Sequence, residues 1–312
     1  MKLEGFKLMA LRLRSVTINL KPSNFSTKMK NQHTLGILAV LIGATVWSTG
    51  GLCIKLLPYD PYTILFYRSI FAALTFLAFF RQRALTLTPI IGAVGLQYAG
   101  LAICFVVATK TTTAANAVLL QYTAPIYVFL LEPILFKFKL TRLNIITVVV
   151  CFVGMLLFFA DDLGGGDLKG NLIALLSGVL LAAMMITQRF NRTEHYDAGL
   201  FWGNIFIALI CLPWFLKSAT PTFEHWTLFF ILGVIQIGIG YMLFNYGLKR
   251  TLAIESVLLA MMEPILNPVW VFIGYGEKPG MWTILGGLVI LSMLAVQVIV
   301  GEKGPQKPEV QL

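Results

Sequence analysis

The sequence predicts an all-α integral membrane protein of ten transmembrane helices, arranged as two inverted five-helix repeats. Ten apolar stretches, each about long enough to cross a ~30 Å hydrocarbon layer, fill most of the 312 residues. With 58% hydrophobic and 12% charged residues, the chain has too little polar surface for a water-soluble protein, whose charged fraction is about 25%. The second five stretches also echo the first five.

The echo has a fixed offset of 139 positions, which lays Gln97–Ile126 on Gln236–Ile265. Phe105 then meets Phe244, Lys110 meets Lys249, Thr112 meets Thr251, Val118-Leu119-Leu120 meets Val257-Leu258-Leu259, and Pro125 meets Pro264. Leu, Val and Ile match by composition alone, so the weight rests on Gln, Lys and Pro recurring at one spacing.

Taken in order, residues 1–34 form an N-terminal extension. Its apolar run Leu8–Leu13 is too short to span and is broken by Arg12 and Arg14, so it is neither a signal peptide nor a membrane helix. Met29, just ahead of the first span, would serve as an ordinary start; a cytoplasmic amphipathic arm is the rival reading. The first repeat, 35–160, holds spans at Leu35–Leu57, Pro61–Phe80, Pro89–Thr109, Thr113–Phe136 and Leu143–Ala160. Residues 161–167, with Gly164-Gly165-Gly166, form a flexible linker. The second repeat, 168–300, holds Leu168–Phe190, Ala198–Leu216, Trp226–Leu248, Leu252–Gly274 and Met281–Val300, and 301–312 is a disordered tail. These runs must be helices, because lipid offers no partner for unpaired backbone groups and they are too long and continuous for barrel strands.

An even number of spans puts both termini on one side. If that side is the cytoplasm, inner connections carry Arg81, Arg83, Lys137, Lys139, Arg142, Arg189, Arg192, Lys249 and Arg250, against Lys55, Lys110, Lys169, Lys217 and Lys278 outside. Both tails are basic as well, which favours termini inside and a multi-pass protein of the inner membrane. Five spans per repeat is odd, so the second copy enters the membrane upside down. The net charge of +10 therefore reports a leaflet preference rather than nucleic-acid binding.

Several chemistries are excluded. Cys53, Cys104, Cys151 and Cys211 stand singly within apolar segments, and His33, His195 and His225 are scattered, so neither a disulfide framework nor a metal site is expected. No GxxxxGK[ST] loop occurs, so no nucleotide and no cofactor is expected, and transport would run on gradients. No span offers a nucleophile beside a base, which argues against an enzyme.

The pattern resembles the ten-helix EamA-type permeases of the drug/metabolite transporter superfamily. The likeness rests on Gly36–Lys55 as an opening helix with a Trp and a closing Lys, on Tyr67-Arg68, on Thr113–Pro125, on Ala253–Pro264 with Glu263-Pro264, and on Gly276-Glu277 before the last helix. The resemblance implies a central cavity formed by the first four helices of each half, with the fifth and tenth at the periphery, and export or exchange of small metabolites. One departure stands out: the offset partner of Glu277 is Phe138, so the first repeat lacks the matching acid, and no Arg68 equivalent follows near Asn204 or Ile205.

Polar residues within spans are the functional candidates, because a charge at mid-bilayer costs about 2.5–3.5 kcal/mol on insertion scales. Glu263 is the sharpest. Pro264 after it cannot donate to the carbonyl four residues back, which leaves a free acceptor and a kink. An acid in a low dielectric suits proton uptake on one side and release on the other, so protons are the candidate coupling ion; a structural hydrogen bond is the alternative. Arg68 must meet an anion, carbonyls or water. Lys55 and Arg189 close matching helices and are expected to snorkel to the interface. Gln97, Gln236, Asn116, Gln121, Asn245 and Asn267 lie on cavity spans, where amides bind a zwitterion or glue helices. Of the deeper aromatic residues, Trp47, Tyr98, Tyr122, Tyr241 and Trp270 are candidates to stack a substrate. Gly199 and Gly203 make a lone GxxxG.

The expected function is a secondary transporter of small organic metabolites, amino acids or related amphiphilic compounds, that exports or exchanges by alternating access with membrane lipid as its solvent. The alternatives are a non-transporting integral membrane protein or a channel.

Overall fold

The computed structural model describes residues 22–136, 142–157, 168–188, 196–248, 250–251 and 259–301. The 161–167 linker, the 302–312 tail, residues 1–21, Arg189 and Phe138 lie outside the described residues.

Helices dominate, and no strand occurs among the described residues. Span one is broken into α1 (Pro22–Ser48) and α2 (Gly50–Leu56), span two is α3 (Pro61–Phe80), and span three is α4 (Pro89–Thr111). Span four is α5 (Ala114–Gln121) plus α6 (Ala124–Phe136), and span five is α7 (Arg142–Leu157). Spans six and seven are α8 (Leu168–Gln188) and α9 (Tyr196–Phe215). Span eight joins α10 (Phe223–Phe230), a π-helical segment (Ile231–Ile239) and α11 (Gly240–Leu248). Span nine contains α12 (Met262–Tyr275), and span ten is α13 (Met281–Gly301). Six helical stretches among the described residues, in spans one, two, three, six, seven and eight, are long and apolar enough to cross a membrane. The fourth span divides at Tyr122–Thr123 into two shorter helices. The opening helix starts at Pro22, so part of the expected extension is helix continuous with span one.

Local chemistry explains the starts. Asp60 accepts from the backbone N–H groups of Tyr62 and Thr63 at 3.0 Å, ahead of Pro61 at the first helical position. Thr88 caps α4 at Ile91, Thr113 caps α5 at Asn116, and Thr222 caps α10 at His225. Serine and threonine within the spans return their hydroxyls to the preceding turn, as Thr45, Thr75 and Thr109 do.

Helix packing obeys the repeat. Span three packs on span six and span eight on span one, span two on eight and seven on three, span four on six and nine on one. Exchange of the two halves maps each of these contacts onto its mate. Spans two with seven, four with nine, and five with ten pack against their own counterparts, which places them across the pseudo-two-fold axis. The fifth and tenth spans pair with each other and touch span four.

Glycine sets the closest crossings. A Cβ on Gly95 would meet Gly203 N at 3.1 Å and Gly199 O at 3.3 Å, so the GxxxG pair does mark a real approach, between spans three and seven. Gly43 lies against Gly240 O, while Gly36 and Gly247 continue the same seam between spans one and eight. The π segment has its own logic: i→i+5 winding stacks residues five apart, which lines Gly233 and Gly238 along span two, against Arg68–Ala72 and Thr75 respectively. Large apolar side chains such as Leu74, Phe79, Leu209 and Ile273 point outward, half or more exposed, as lipid-facing residues must.

Candidate functional site

Three spans are interrupted within the bundle. Span one opens at Ser48-Thr49-Gly50-Gly51, span four at Tyr122-Thr123, and span nine at Met261. The last two are offset partners, because 122 plus 139 is 261, and each precedes its proline, Pro125 or Pro264. A proline near the start of a helix needs no donor, so the chain re-enters helix there after the interruption.

The span-one break receives side chains from spans eight and nine. Gln236 Nε2 donates to Trp47 O at 3.2 Å, and Trp270 Nε1 donates to Ser48 Oγ at 2.9 Å. A Cβ on Gly50 would run into the Gln236 amide and one on Gly51 into the Asn267 amide, so the glycines create the room these groups occupy. Trp47 stacks at a tilt on Tyr241, with ring centroids 4.8 Å apart, and on Phe244; Tyr98 meets Tyr241 edge-on at 6.5 Å.

Across the axis, Tyr122 OH donates to Glu263 Oε2 at 3.0 Å. The same hydroxyl lies 3.4 Å from Ala260 O, the carbonyl that Pro264 leaves without its helical donor. One hydroxyl proton thus has two acceptors. An ionised Glu263 claims it; a protonated Glu263 can donate to the tyrosine oxygen and release the hydroxyl to Ala260.

Tyr98, Glu263 and Arg68 lie within electrostatic reach of the Tyr241 hydroxyl. Arg68 is only 5% exposed, its NH1 has no partner, and no carboxylate among the described residues lies within ion-pair distance. Trp47 Nε1, Tyr98 OH, Gln236 Oε1 and Asn267 Oδ1 are also buried and unpartnered. Orphans of this kind cost about 1–3 kcal/mol each when nothing fills them. Tyr122, Tyr241 and Glu263 are each partly buried.

The arrangement gathers Trp47, Arg68, Tyr98, Tyr122, Gln236, Tyr241, Glu263, Asn267 and Trp270. Other candidates lie apart. Gln97, the offset partner of Gln236, donates to Thr187 on span six at 2.9 Å, the mirror of the bridge to span one. Gln121 meets Ser177 at 3.5 Å. Asn245 lies half-buried on α11, toward the face that carries the end of span ten. Asn116 belongs to a buried network at the opposite face: Asn116 Nδ2 and Thr112 Oγ1 donate to Asn171 Oδ1 at 3.0 and 2.8 Å, and Thr283 Oγ1 donates to Asn116 Oδ1 at 2.7 Å. Those amides glue helix ends.

Lys55 does not snorkel. Its side chain is 11% exposed and pairs with Glu277 at 2.6 Å, while donating to Thr112 O at 2.9 Å. Glu277 Oε1 in turn accepts from Ala114 N at the start of α5. Ser48, Asn171 and Thr283 were missed by sequence reasoning. A run of small residues within an apolar span signalled the Ser48 break, whereas nothing local marks Asn171 or Thr283.

Residues 34–160 and 168–299 each match the EamA-like transporter family. An uncharacterised transporter of Archaeoglobus fulgidus is 23% identical over 260 residues, covering 82% of this chain and 94% of that protein. The threonine/homoserine exporter RhtA of Salmonella typhimurium is 27% identical, over 65% of this chain and 66% of its own. The biotin transporter of Escherichia coli is 26% identical, over 76% and 83%. A crystal structure 19% identical in sequence superposes with a TM-score of 0.62, over 86% of this chain and 98% of that one, and shares the fold.

Proposed function

Because the chain belongs to the EamA-like transporter family, as a multi-pass membrane protein built from two repeats, we propose that it is a secondary carrier of small organic metabolites. Amino acids or related amphiphiles are its cargo, exported or exchanged by alternating access with both termini on the cytoplasmic side of the inner membrane. The observation that carries this reading is the set of buried, unpartnered polar atoms that spans one, two, three, eight and nine present within a bundle whose spans one, four and nine are interrupted, the construction expected of a substrate site between inverted repeats. The exporter and biotin-transporter relatives support small carboxylate-bearing cargo.

Protons are the coupling ion in this reading, taken up at Glu263 and passed on through Tyr122. In proteoliposomes offered a panel of radiolabelled amino acids and biotin, Glu263→Gln abolishes accumulation driven by a pH gradient while counterflow exchange persists. Driven accumulation equal to wild type removes Glu263 from coupling, and no saturable flux of any panel member removes the carrier assignment.

A further inference from the structure

We propose that the central cluster is a zwitterion site, in which Arg68 holds the carboxylate of the cargo and Glu263 holds its ammonium, so that cargo and proton compete for one acid. This rests on the carrier reading above and goes beyond it by fixing the charge pattern of the substrate.

The starting point is the uncompensated guanidinium. Arg68 is 95% removed from solvent accessibility, and its NH1 faces no acceptor. A buried cation without a counter-ion is far more costly than a buried amide, and a guanidinium presents its donors in a fork that fits a carboxylate. The protein supplies no such partner among the described residues, so the missing anion fits a ligand. Tyr98 OH is a second unpartnered donor, and its ring meets Tyr241, which feels the Arg68 charge.

The opposite pole is Glu263. Tyr122 occupies Oε2, which leaves Oε1 for a cation. The groups that face it are Tyr122 on span four and, through Tyr241 on span eight, Tyr98 and Arg68; Lys55 on span one is held by Glu277. No basic side chain among the described residues forms an ion pair with Glu263. The unpartnered acceptors Gln236 Oε1 and Asn267 Oδ1, set against the span-one break, add sites that favour N–H donors. Along the bundle, Arg68 lies seven residues from Pro61 and Glu263 twelve from Tyr275, roughly 10 and 18 Å from the same face at 1.5 Å per residue. A guanidinium reaching inward from its shallower station closes much of that difference.

Competition for Glu263 then yields exchange. With cargo bound, Arg68⁺ meets carboxylate and Glu263⁻ meets ammonium. When cargo leaves, one proton from the opposite side takes the place of the ammonium on Glu263, and the site then carries the single positive charge of the guanidinium. A neutral zwitterion thus moves one way and one proton the other, without a redox step or a second ligand.

The test uses the full chain in nanodiscs, read by quenching of Trp47 and Trp270, against a panel of amino acids together with the carboxamide and the N-acetyl derivative of each. Wild type responds to at least one amino acid, and both derivatives of that compound bind roughly tenfold more weakly or worse, the loss expected when one charge-assisted bond disappears. Acidification weakens amino-acid binding to wild type but leaves the weaker binding of Glu263→Gln unchanged with pH. Arg68→Gln loses discrimination against the carboxamide, and Arg68→Lys, which keeps the charge, restores part of it. Equal binding of amino acid and carboxamide, or pH-independent wild-type binding, overturns the zwitterion site. Biotin binding and driven transport without any amino-acid response overturns it while the carrier reading stands; absence of flux for every compound overturns the carrier reading itself.

Discussion

Tyr122 has one hydroxyl proton and two acceptors, Glu263 Oε2 at 3.0 Å and Ala260 O at 3.4 Å, and this shortage ties the state of an acid to the backbone of a broken helix. Tyr122→Phe removes the shared donor without emptying the space the ring fills. The expected result is near-normal counterflow, with gradient-driven transport reduced roughly tenfold, as befits one hydrogen bond to a charged group worth about 1.5–3 kcal/mol. Driven transport and a pH profile equal to wild type would remove Tyr122 from the relay. The acceptor itself was legible in the sequence, because Pro264 cannot donate to residue 260. Its partner was not: Tyr122 lies 138 positions upstream of Ala260, and only the fold brings the two together.

At the scale of elements, the breaks and the glycines decide where helices touch. The GxxxG of Gly199 and Gly203 was readable as a motif, but its mate, Gly95 on span three, carried no signal of its own. Gly203→Leu places a branched side chain where its Cβ alone would lie 2.5 Å from the Tyr98 ring and 2.9 Å from Gly95 O. Overpacking of this kind costs about 1–3 kcal/mol or more, so the purified protein should unfold several degrees lower than wild type on heating in detergent, an effect absent for Leu209→Ala on the lipid side. The fourth span illustrates the limit of reading periodicity. Its apolar run is continuous in sequence, yet Thr123 returns its hydroxyl to Leu120 O and the helix restarts at Ala124. The π segment was equally invisible, since Gly233 and Gly238 gain meaning only once span two lies along them.

For the molecule as a whole, polar contacts tie helix ends together at the face away from the end of span ten. Lys55 on span one, Glu277 before span ten and the N–H of Ala114 form one cluster, and the buried Thr112, Asn116, Asn171 and Thr283 form another beside it. Glu277→Gln weakens the first cluster by removing its charge while keeping the amide acceptor. If this conformer is one end of an alternating cycle, single cysteines introduced near Thr113 in a cysteine-free background should then react several-fold faster with an impermeant maleimide, whereas a Lys169→Gln control should not change them. The repeat that organises this architecture was plain in the 139-residue echo, but charge does not obey it. Arg68 and Glu263 have Ile207 and Ala124 as offset partners, neither of them ionisable.

That asymmetry has a mechanical consequence. The cation rides on span two of one repeat and the acid on span nine of the other, and both spans pack against the seam formed by spans one and eight. A molecule that spanned the two charges would brace one repeat against the other across that seam, so its length, as much as its chemistry, would decide whether it fits.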